Sequence, residues 1–254
     1  MIICRRMEKV IILHNGLGTC CSEDPRLPNG RHPLAVGGMS SPQSGFQDLS
    51  VEDMINGRQQ TIVVEKGANV NIIIIVFPGV SCDVKLDVRL AGEGAEANIY
   101  GAYVCGGAER VKISVDMCHN VPHCNSRQLF KGIAGGESRV DFYGKIIVAK
   151  DAQKTEAYQE NHNLLLSEKA KVDTKPQLEI YADDVKCSHG ATIGRLNEEE
   201  QFYMRSRGIT LEDAKVLQMI SFISPVLENI TDETERVAVA AEFESHIRNI
   251  IRNI

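Results

Sequence analysis

Between Gln60 and Gly194 the chain consists of short runs in which apolar and polar residues alternate. The runs are rich in β-branched residues, and most end in Gly, Asn or Asp, which is the pattern of strands separated by turns. Few Asn-Gly or Asp-Gly pairs, which mark tight hairpins, stand between the runs. Turns of similar composition recur along this part of the chain, namely KGANV (66–70), EGAEA (93–97), GGAERV (106–111), GGESRV (135–140), KDAQKTEA (150–157) and EKAKVDT (168–174).

This recurrence predicts a β-solenoid, in which each coil buries the apolar face of its neighbour. The aliphatic run NLLLS at 163–167 resembles an inward layer of such a coil. Aromatic residues make up 5% of the chain and Trp is absent, so the core must be built from Ile, Val, Leu and Ala. A β-sandwich and an up-and-down barrel also consist of short strands, and both remain alternatives at this point.

The strand pattern stops after Gly194, and helical patterns follow. Asn197 precedes three Glu residues, as an N-cap precedes the first turn of a helix, and Thr210 stands before a second run with apolar residues at helical spacing. Pro225 is expected to end or kink that helix. We therefore predict a β core over 60–194 and a C-terminal helical segment over 195–254.

Residues 1–59 lack a lasting period, and residues 22–45 are rich in Pro, Gly and Ser. We predict an irregular N-terminal arm for this range. The longest apolar run, Ile72–Phe77, is far too short to span a bilayer, so no membrane association is expected.

The formal net charge of −6 and the lack of a basic stripe argue against a nucleic-acid partner. Eight Cys residues are present and none forms a CxxC pair. In a chain of this length with no secretory signal, reduced thiols are expected, which places the protein in the cytoplasm.

The stretch YADDVKCSHGATIG (181–194) concentrates ligand-type side chains. If it is a strand, Cys187 and His189 point to the same face, and thiolate and imidazole are ligands for soft metals and iron–sulfur clusters. The alternative is that Cys187 packs inside the fold and His189 makes an ordinary hydrogen bond.

The stretch CHNVPHCNS (118–126) is a weaker candidate. His123 and Cys124 are ligand types, but their spacing fits no standard zinc motif, and Pro122 implies an irregular turn. The favoured interpretation is that these residues shape a loop. The chain contains no GxxxxGK[ST], GxSxG or HExxH motif.

The segment 151–194, from DAQKTEAYQENHNLLLS to YADDVKCSHGATIG, closely resembles the SufB/SufD family of iron–sulfur cluster assembly proteins. The likeness extends to GEGAEANIYGAY (92–103), PHCNSRQLFKG (122–132) and EEEQFYMRSRGI (198–209), so that roughly residues 60–254 are covered. The resemblance implies a right-handed parallel β-helix followed by C-terminal helices. It also implies a non-catalytic scaffold subunit that works with a SufB-type subunit and the SufC ATPase.

Within this family the chain resembles SufD more than SufB. Asn161 stands where SufB-type proteins carry a scaffold cysteine, and Gly190 replaces a SufB glutamate. His189 matches a SufD histidine implicated in cluster assembly at the subunit interface, and Cys187 is a second candidate. The shorter region before residue 60 departs from the usual SufD pattern, which indicates either a compact SufD or a scaffold that pairs with itself.

The resemblance also implies partners and cargo. No cofactor is expected to bind tightly to the isolated chain, a transient iron–sulfur cluster is expected at the shared interface, and a reduced flavin is a candidate cofactor of the full complex. The isolated chain is expected to be a homodimer. A purely structural positioning partner without iron ligands and, from β-helices in general, an enzyme acting on polysaccharides remain alternatives. SufC is expected to dock on the C-terminal helices, at Glu199, Tyr203, Arg205, Arg207, Leu211, Ala214 and Leu217.

Overall fold

The computed structural model describes residues 2–13 and 56–252, and the strand pairings within these ranges are parallel. The strands are β1 (Ile2–Leu13), β2 (Gln60–Val76), β3 (Cys82–Leu90), β4 (Glu96–Cys105), β5 (Arg110–His119), β6 (Asn125–Ala134), β7 (Arg139–Val148), β8 (Glu156–Leu165), β9 (Lys171–Ile180) and β10 (Lys186–Gly194). The helices are α1 (Glu198–Ser206), α2 (Leu211–Leu227) and α3 (Glu233–Arg252).

Alternate strands pair with one another, which is the topology of a two-sided parallel β-helix. On one side the order is β2-β4-β6-β8-β10, and on the other it is β2-β3-β5-β7-β9. Glu96 lies opposite Asn125 and Asn125 opposite Glu156, so one coil takes roughly 30 residues. The predicted β-solenoid is confirmed. The sandwich and barrel alternatives are wrong for this part of the chain, because both require antiparallel neighbours.

β2 connects the two sides because it is longer than the other strands. Its first part, 60–64, pairs with β3, and its second part, 69–76, pairs with β4. Along its other edge it pairs with β1, from Ile2 opposite Ile62 to Leu13 opposite Val76. β1 therefore covers the edge of the first coil, which would otherwise offer unpaired backbone groups.

Residues 2–13 were predicted to belong to an irregular arm, but they form strand β1. The physical reason is that β2 offers backbone partners at 62–64 and 69–76, on either side of a register shift, and residues 10–13 are β-branched or aliphatic and favour an extended chain. Residues 14–55, including the Pro- and Gly-rich stretch, lie outside the described residues.

The isoleucine run of β2 is buried on both faces. Ile72 and Ile74 point into the solenoid, whereas Ile73 and Ile75 point outward and pack against the helices. A strand covered on both faces reads as a continuous apolar run without alternation. This run therefore marks the central strand between the solenoid interior and the helical layer.

α2 and α3 cover the outer face of β2, β4 and β6. Phe77, directly after β2, packs against Phe243 of α3 with ring centroids 4.5 Å apart, and Met219, Ile223 and Ile247 are fully buried in the same cluster. The helical segment is thus part of the fold rather than an appendage.

The helix ends carry the predicted caps. Asn197 accepts hydrogen bonds from the backbone N–H groups of the first turn of α1, and Thr210 accepts one from Asp213. α2 continues past Pro225 to Leu227. Pro225 has no N–H to donate to the carbonyl oxygen of Ser221. That oxygen accepts a hydrogen bond from the hydroxyl of Ser224 at 3.0 Å instead. No helix in the described ranges is long and apolar enough to cross a membrane.

Candidate functional site

The predicted site lies on β10, at the C-terminal end of the solenoid. β10 pairs with β8 from Lys186 opposite Glu156 to Gly194 opposite Leu164. Among the described strands none pairs with the other edge of β10. The last coil is therefore an open end in this part of the chain, and we refer to it below as the open end.

Cys187 and His189 share the inward face of β10. Cys187 lies opposite Ala157 and His189 opposite Gln159, and both partners on β8 are buried in the solenoid interior. Cys187 is half-buried and His189 is exposed, because no described coil stacks above them. β10 is extended, and this is the condition under which Cys187 and His189 were predicted to share one face.

The electrostatic setting of Cys187 keeps its thiol protonated. Burial raises the pKa of Cys187, and a hydrogen bond with the backbone of Ala157 offsets part of that increase. A thiol in this state becomes a good ligand only when a metal or another cation stabilises the thiolate.

The two side chains cannot form a complete metal site by themselves. No group of three or more His, Cys, Asp or Glu side chains in the described ranges is arranged to hold a metal ion. An iron–sulfur cluster needs about four protein ligands, so Cys187 and His189 supply at most half of them.

The two aspartates of the opening stretch belong to a turn. Asp183 and Asp184 are exposed. Asp184 forms an ion pair with Lys154, and its backbone N–H donates to the side chain of Gln153 at 2.9 Å. These contacts fasten the turn before β10 to the previous coil and so fix where Cys187 and His189 begin.

The second sequence candidate does not form a ligand pair. His123 is exposed and has a positive φ of 59°, whereas Cys124 is buried and its thiol lies 3.4 Å from the carbonyl oxygen of Gly92. The histidine of this stretch that is buried is His119, whose Nε2 is 2.9 Å from the hydroxyl of Ser126. These contacts match the loop-shaping interpretation.

Sequence reasoning missed a set of buried polar residues inside the solenoid, next to the open end. Gln159 Nε2 donates to Gln128 Oε1 at 2.9 Å. Tyr103 donates its hydroxyl to Asn163 Oδ1, and Asn163 Nδ2 donates to Asn161 Oδ1, both at 2.5 Å. The available signal was the run YQENHN, in which Gln159, Asn161 and Asn163 occupy alternate positions and therefore one face.

The predicted docking residues on the helices are exposed with one exception. Tyr203 and Leu217 expose 59% and 50% of their surface, and Arg207 lies over the Tyr203 ring at 4.9 Å. Ala214 is fully buried against the core, so its proposed role as a docking contact is wrong. Its small side chain lets α2 approach its neighbours closely. The other predicted residues, Glu199, Arg205 and Leu211, are exposed.

Phe202, which is 73% exposed, was not predicted and belongs to the same surface. Beside it a groove of about 460 Å³ runs between the end of β8, α1 and α2. Its lining combines apolar residues such as Leu165 and Met219 with the charged residues Arg195, Glu198, Arg205 and Lys215. Exposed apolar side chains among charged ones are typical of protein interaction sites.

The described residues thus form a parallel β-helix with thiol and imidazole side chains at its open end and a helical layer on one side. The sequence matches the SUF system FeS cluster assembly, SufBD core domain, over residues 40–222, and the chain belongs to this family.

Individual relatives support this assignment. The chain is 51% identical over 123 residues to the iron-sulfur cluster assembly protein SufD of Escherichia coli, a match that covers 48% of the chain and 29% of that protein. It is 48% identical over 111 residues to the SufBD family protein slr0076 of Synechocystis, covering 44% of the chain and 24% of that protein. It is 36% identical over 150 residues to ABCI7, a chloroplastic protein of Arabidopsis thaliana, covering 59% and 31%. The matched regions thus span about a quarter to a third of these relatives.

The buried His119 predicts a pH-dependent stability. Burial lowers the pKa of His119 from 6.5 to about 4, so the folded protein keeps the ring neutral while the unfolded chain takes up a proton below pH 6.5. The free energy of unfolding should therefore fall as the pH drops from 6.5 to 4, by on the order of 3 kcal/mol in total from this residue.

Urea denaturation of the wild type and of His119→Gln between pH 7 and pH 5 measures this contribution. The wild type should lose stability more steeply than the variant, and the exposed-site control His123→Gln should keep the wild-type slope. Equal slopes for the wild type and His119→Gln would contradict the assignment.

Proposed function

We propose that this protein is a SufD-type subunit of an iron–sulfur cluster assembly scaffold. Its open end joins a SufB-type subunit, and the nascent cluster, which is the cargo of the complex, forms where the two chains meet. The observation that carries this proposal is the placement of Cys187 and His189 on the inward face of the last coil, exposed or half-exposed at the end of the solenoid.

In this scheme His189 acts as a ligand or proton-transfer group for the nascent cluster, and Cys187 is its helper. Because the chain supplies at most two ligands from this site, the partner must complete the coordination. The isolated chain should accordingly purify without bound iron.

The chain has no catalytic role of its own in this proposal. ATP hydrolysis belongs to the SufC partner, which docks on the exposed surface of α1 and α2. Cys82, Cys105, Cys118, Cys124 and Cys187 are free thiols, which supports work in a reducing cytoplasm. The reduced flavin stays a prediction for the full complex.

A second candidate function is a purely structural partner that positions SufB and SufC without binding iron. The high pKa of the Cys187 thiol favours this alternative, since a protonated thiol is a poor ligand. Pairing with a second copy of this chain instead of a SufB-type subunit is a variant of the same scheme.

The central test is His189→Ala in the complex with the SufB-type and SufC partners. After anaerobic reconstitution with iron and sulfide, cluster formation should fall roughly tenfold or more, since losing a metal ligand or its support has effects of that size. Cys187→Ser should show a smaller loss.

Ser188→Ala is the matched control, because Ser188 lies on the same strand with its side chain on the opposite face. It should leave cluster formation unchanged, and all three variants should fold and bind SufC. A normal rate in His189→Ala would leave the positioning role as the function of this subunit.

The edge of β10 is proposed as the pairing surface. The backbone N–H of Lys186 bonds to Thr155 O at 2.9 Å, and N–H groups alternate in direction along a strand. The N–H groups of Cys187, His189, Ala191 and Ile193 therefore face away from β8 and can pair with another chain. Ile193 and Tyr181, which are 46% and 62% exposed, add apolar area beside this edge.

Ala191→Pro tests this surface, because it removes one outward N–H and leaves the bonds to β8 intact. The wild type should sediment as a homodimer at micromolar concentration and form a heterodimer with a SufB-type subunit, whereas Ala191→Pro should be mostly monomeric. Ala191→Val keeps the N–H and should remain dimeric. A monomeric wild type, or an equally dimeric proline variant, would exclude this pairing mode.

The SufC surface is tested by a point substitution, since deleting α2 and α3 would uncover the apolar outer face of β2, β4 and β6. Leu217→Glu should weaken SufC binding by about tenfold or more, measured by titration calorimetry, because it places a charge in an apolar contact. The free energy of unfolding of the Leu217→Glu variant should differ from that of the wild type by less than about 0.5 kcal/mol.

Val237→Glu is the control, because Val237 is a 60% exposed apolar residue on a different helix. It should leave SufC affinity unchanged. If Leu217→Glu binds SufC as tightly as the wild type, the docking surface lies elsewhere.

A further inference from the structure

The interior of the last coils contains buried polar atoms that find no hydrogen-bond partner within the described part of the chain. Side chains that point into a protein core normally have every such atom paired, with protein or with ordered water. Four unpaired atoms lie on inward-facing residues of the last three coils, namely Gln128 Nε2, Gln159 Oε1, Asn161 Nδ2 and Thr174 Oγ1.

Two side-chain networks lead to these atoms. In the first, Gln159 and Gln128 share one hydrogen bond, which leaves one polar atom of each carboxamide unpaired. In the second, hydrogen bonds join Tyr103 to Asn163 and Asn163 to Asn161, and the Asn161 side chain also interacts with the Tyr103 hydroxyl, but Asn161 Nδ2 makes no hydrogen bond of good geometry. Both networks therefore stop at atoms that require a further partner.

The backbone makes room for the first network. Gly144 on β7 faces Gln159 across the interior, and a Cβ at this position would lie 2.1 Å from Gln159 Nε2. Any other residue at 144 would displace the carboxamide. The interior is therefore shaped around the amide of Gln159 rather than merely tolerating it.

The inward-facing carboxamides lie in the coils nearest the open end. In the first coils the inward positions are aliphatic, as at Ile62, Ile72 and Val84, and these side chains are fully buried. Toward the open end the column runs from Gln128 to Gln159 and then to His189, which occupy matching positions on β6, β8 and β10. The polarity thus increases toward the site on β10.

We propose that the interior of the last three coils binds ordered water molecules at Gln128, Gln159, Asn161 and Thr174, and that this hydrated track ends beneath Cys187 and His189. Water suits the unpaired atoms because they combine amide donors, a carbonyl acceptor and a hydroxyl, and no carboxylate, Lys or Arg lines this part of the interior. A buried water with two to four such partners is a stable element of a fold.

The track supplies exchangeable protons below the cluster site, and only this role rests on the proposed function. The presence of the water stands on the interior geometry alone. Failure of cluster assembly in His189→Ala and failure of the water site are therefore measured separately.

The test uses the full chain with its Gln and Asn side-chain amides labelled with ¹⁵N. Long-lived cross-peaks should appear between water and the carboxamide N–H groups of Gln128 and Asn161. In Gln159→Met, which keeps the length of the side chain and removes its polar atoms, the cross-peak of Gln128 should be lost. Thr155→Val is the matched control, because Thr155 is also buried but its hydroxyl already donates to Ala152 O at 2.9 Å. It should keep both cross-peaks.

Absence of the water cross-peaks in the wild type, or a Gln128 cross-peak that survives in Gln159→Met, would overturn the proposal.

Discussion

The whole structure depends on the stacking of parallel strands from one coil to the next. Each strand between the two ends has hydrogen-bonded neighbours on both sides, and each coil buries the apolar face of the coil before it. A stack of this kind leaves two ends to be closed. β1 closes the first end by pairing along β2. The other end, at β10, is uncovered among the described strands, and that is where the candidate ligands lie.

The same stacking gives the molecule two different outer faces. On the side of the even-numbered strands, outward apolar residues such as Ile73 and Ile75 require a cover, and α2 and α3 provide it. On the other side the outward residues are charged, and ion pairs such as Lys145 with Glu179 at 2.8 Å join neighbouring coils. The helices can therefore dock on one side only, and their own exposed surface becomes available for a partner.

Near the open end the solenoid interior contains polar groups whose burial costs folding free energy. Carboxamides and hydroxyls replace aliphatic side chains in the last coils, although an apolar core would be simpler to stabilise. Polar groups in such a place are expensive unless every member is hydrogen-bonded. Their location directly below Cys187 and His189 links this departure from an apolar core to the function proposed for the open end.

Much of the fold follows from local sequence patterns. Alternation with recurring turns predicted the β-solenoid, and the caps at Asn197 and Thr210 predicted where α1 and α2 begin, because these features depend on residues close together in the chain. Side-chain chemistry and strand spacing selected Cys187 and His189 and placed them on one face, and the family likeness added weight to His189.

The tertiary structure decided what depends on residues far apart in sequence. Packing partners that local periodicity does not reveal decide three features. Ala214 is buried, His123 is exposed while its neighbour Cys124 is buried, and β1 pairs with β2. The polar column from Gln128 through Gln159 to His189 is another such feature. Its members are roughly 30 residues apart and meet only because coils of that length stack in register.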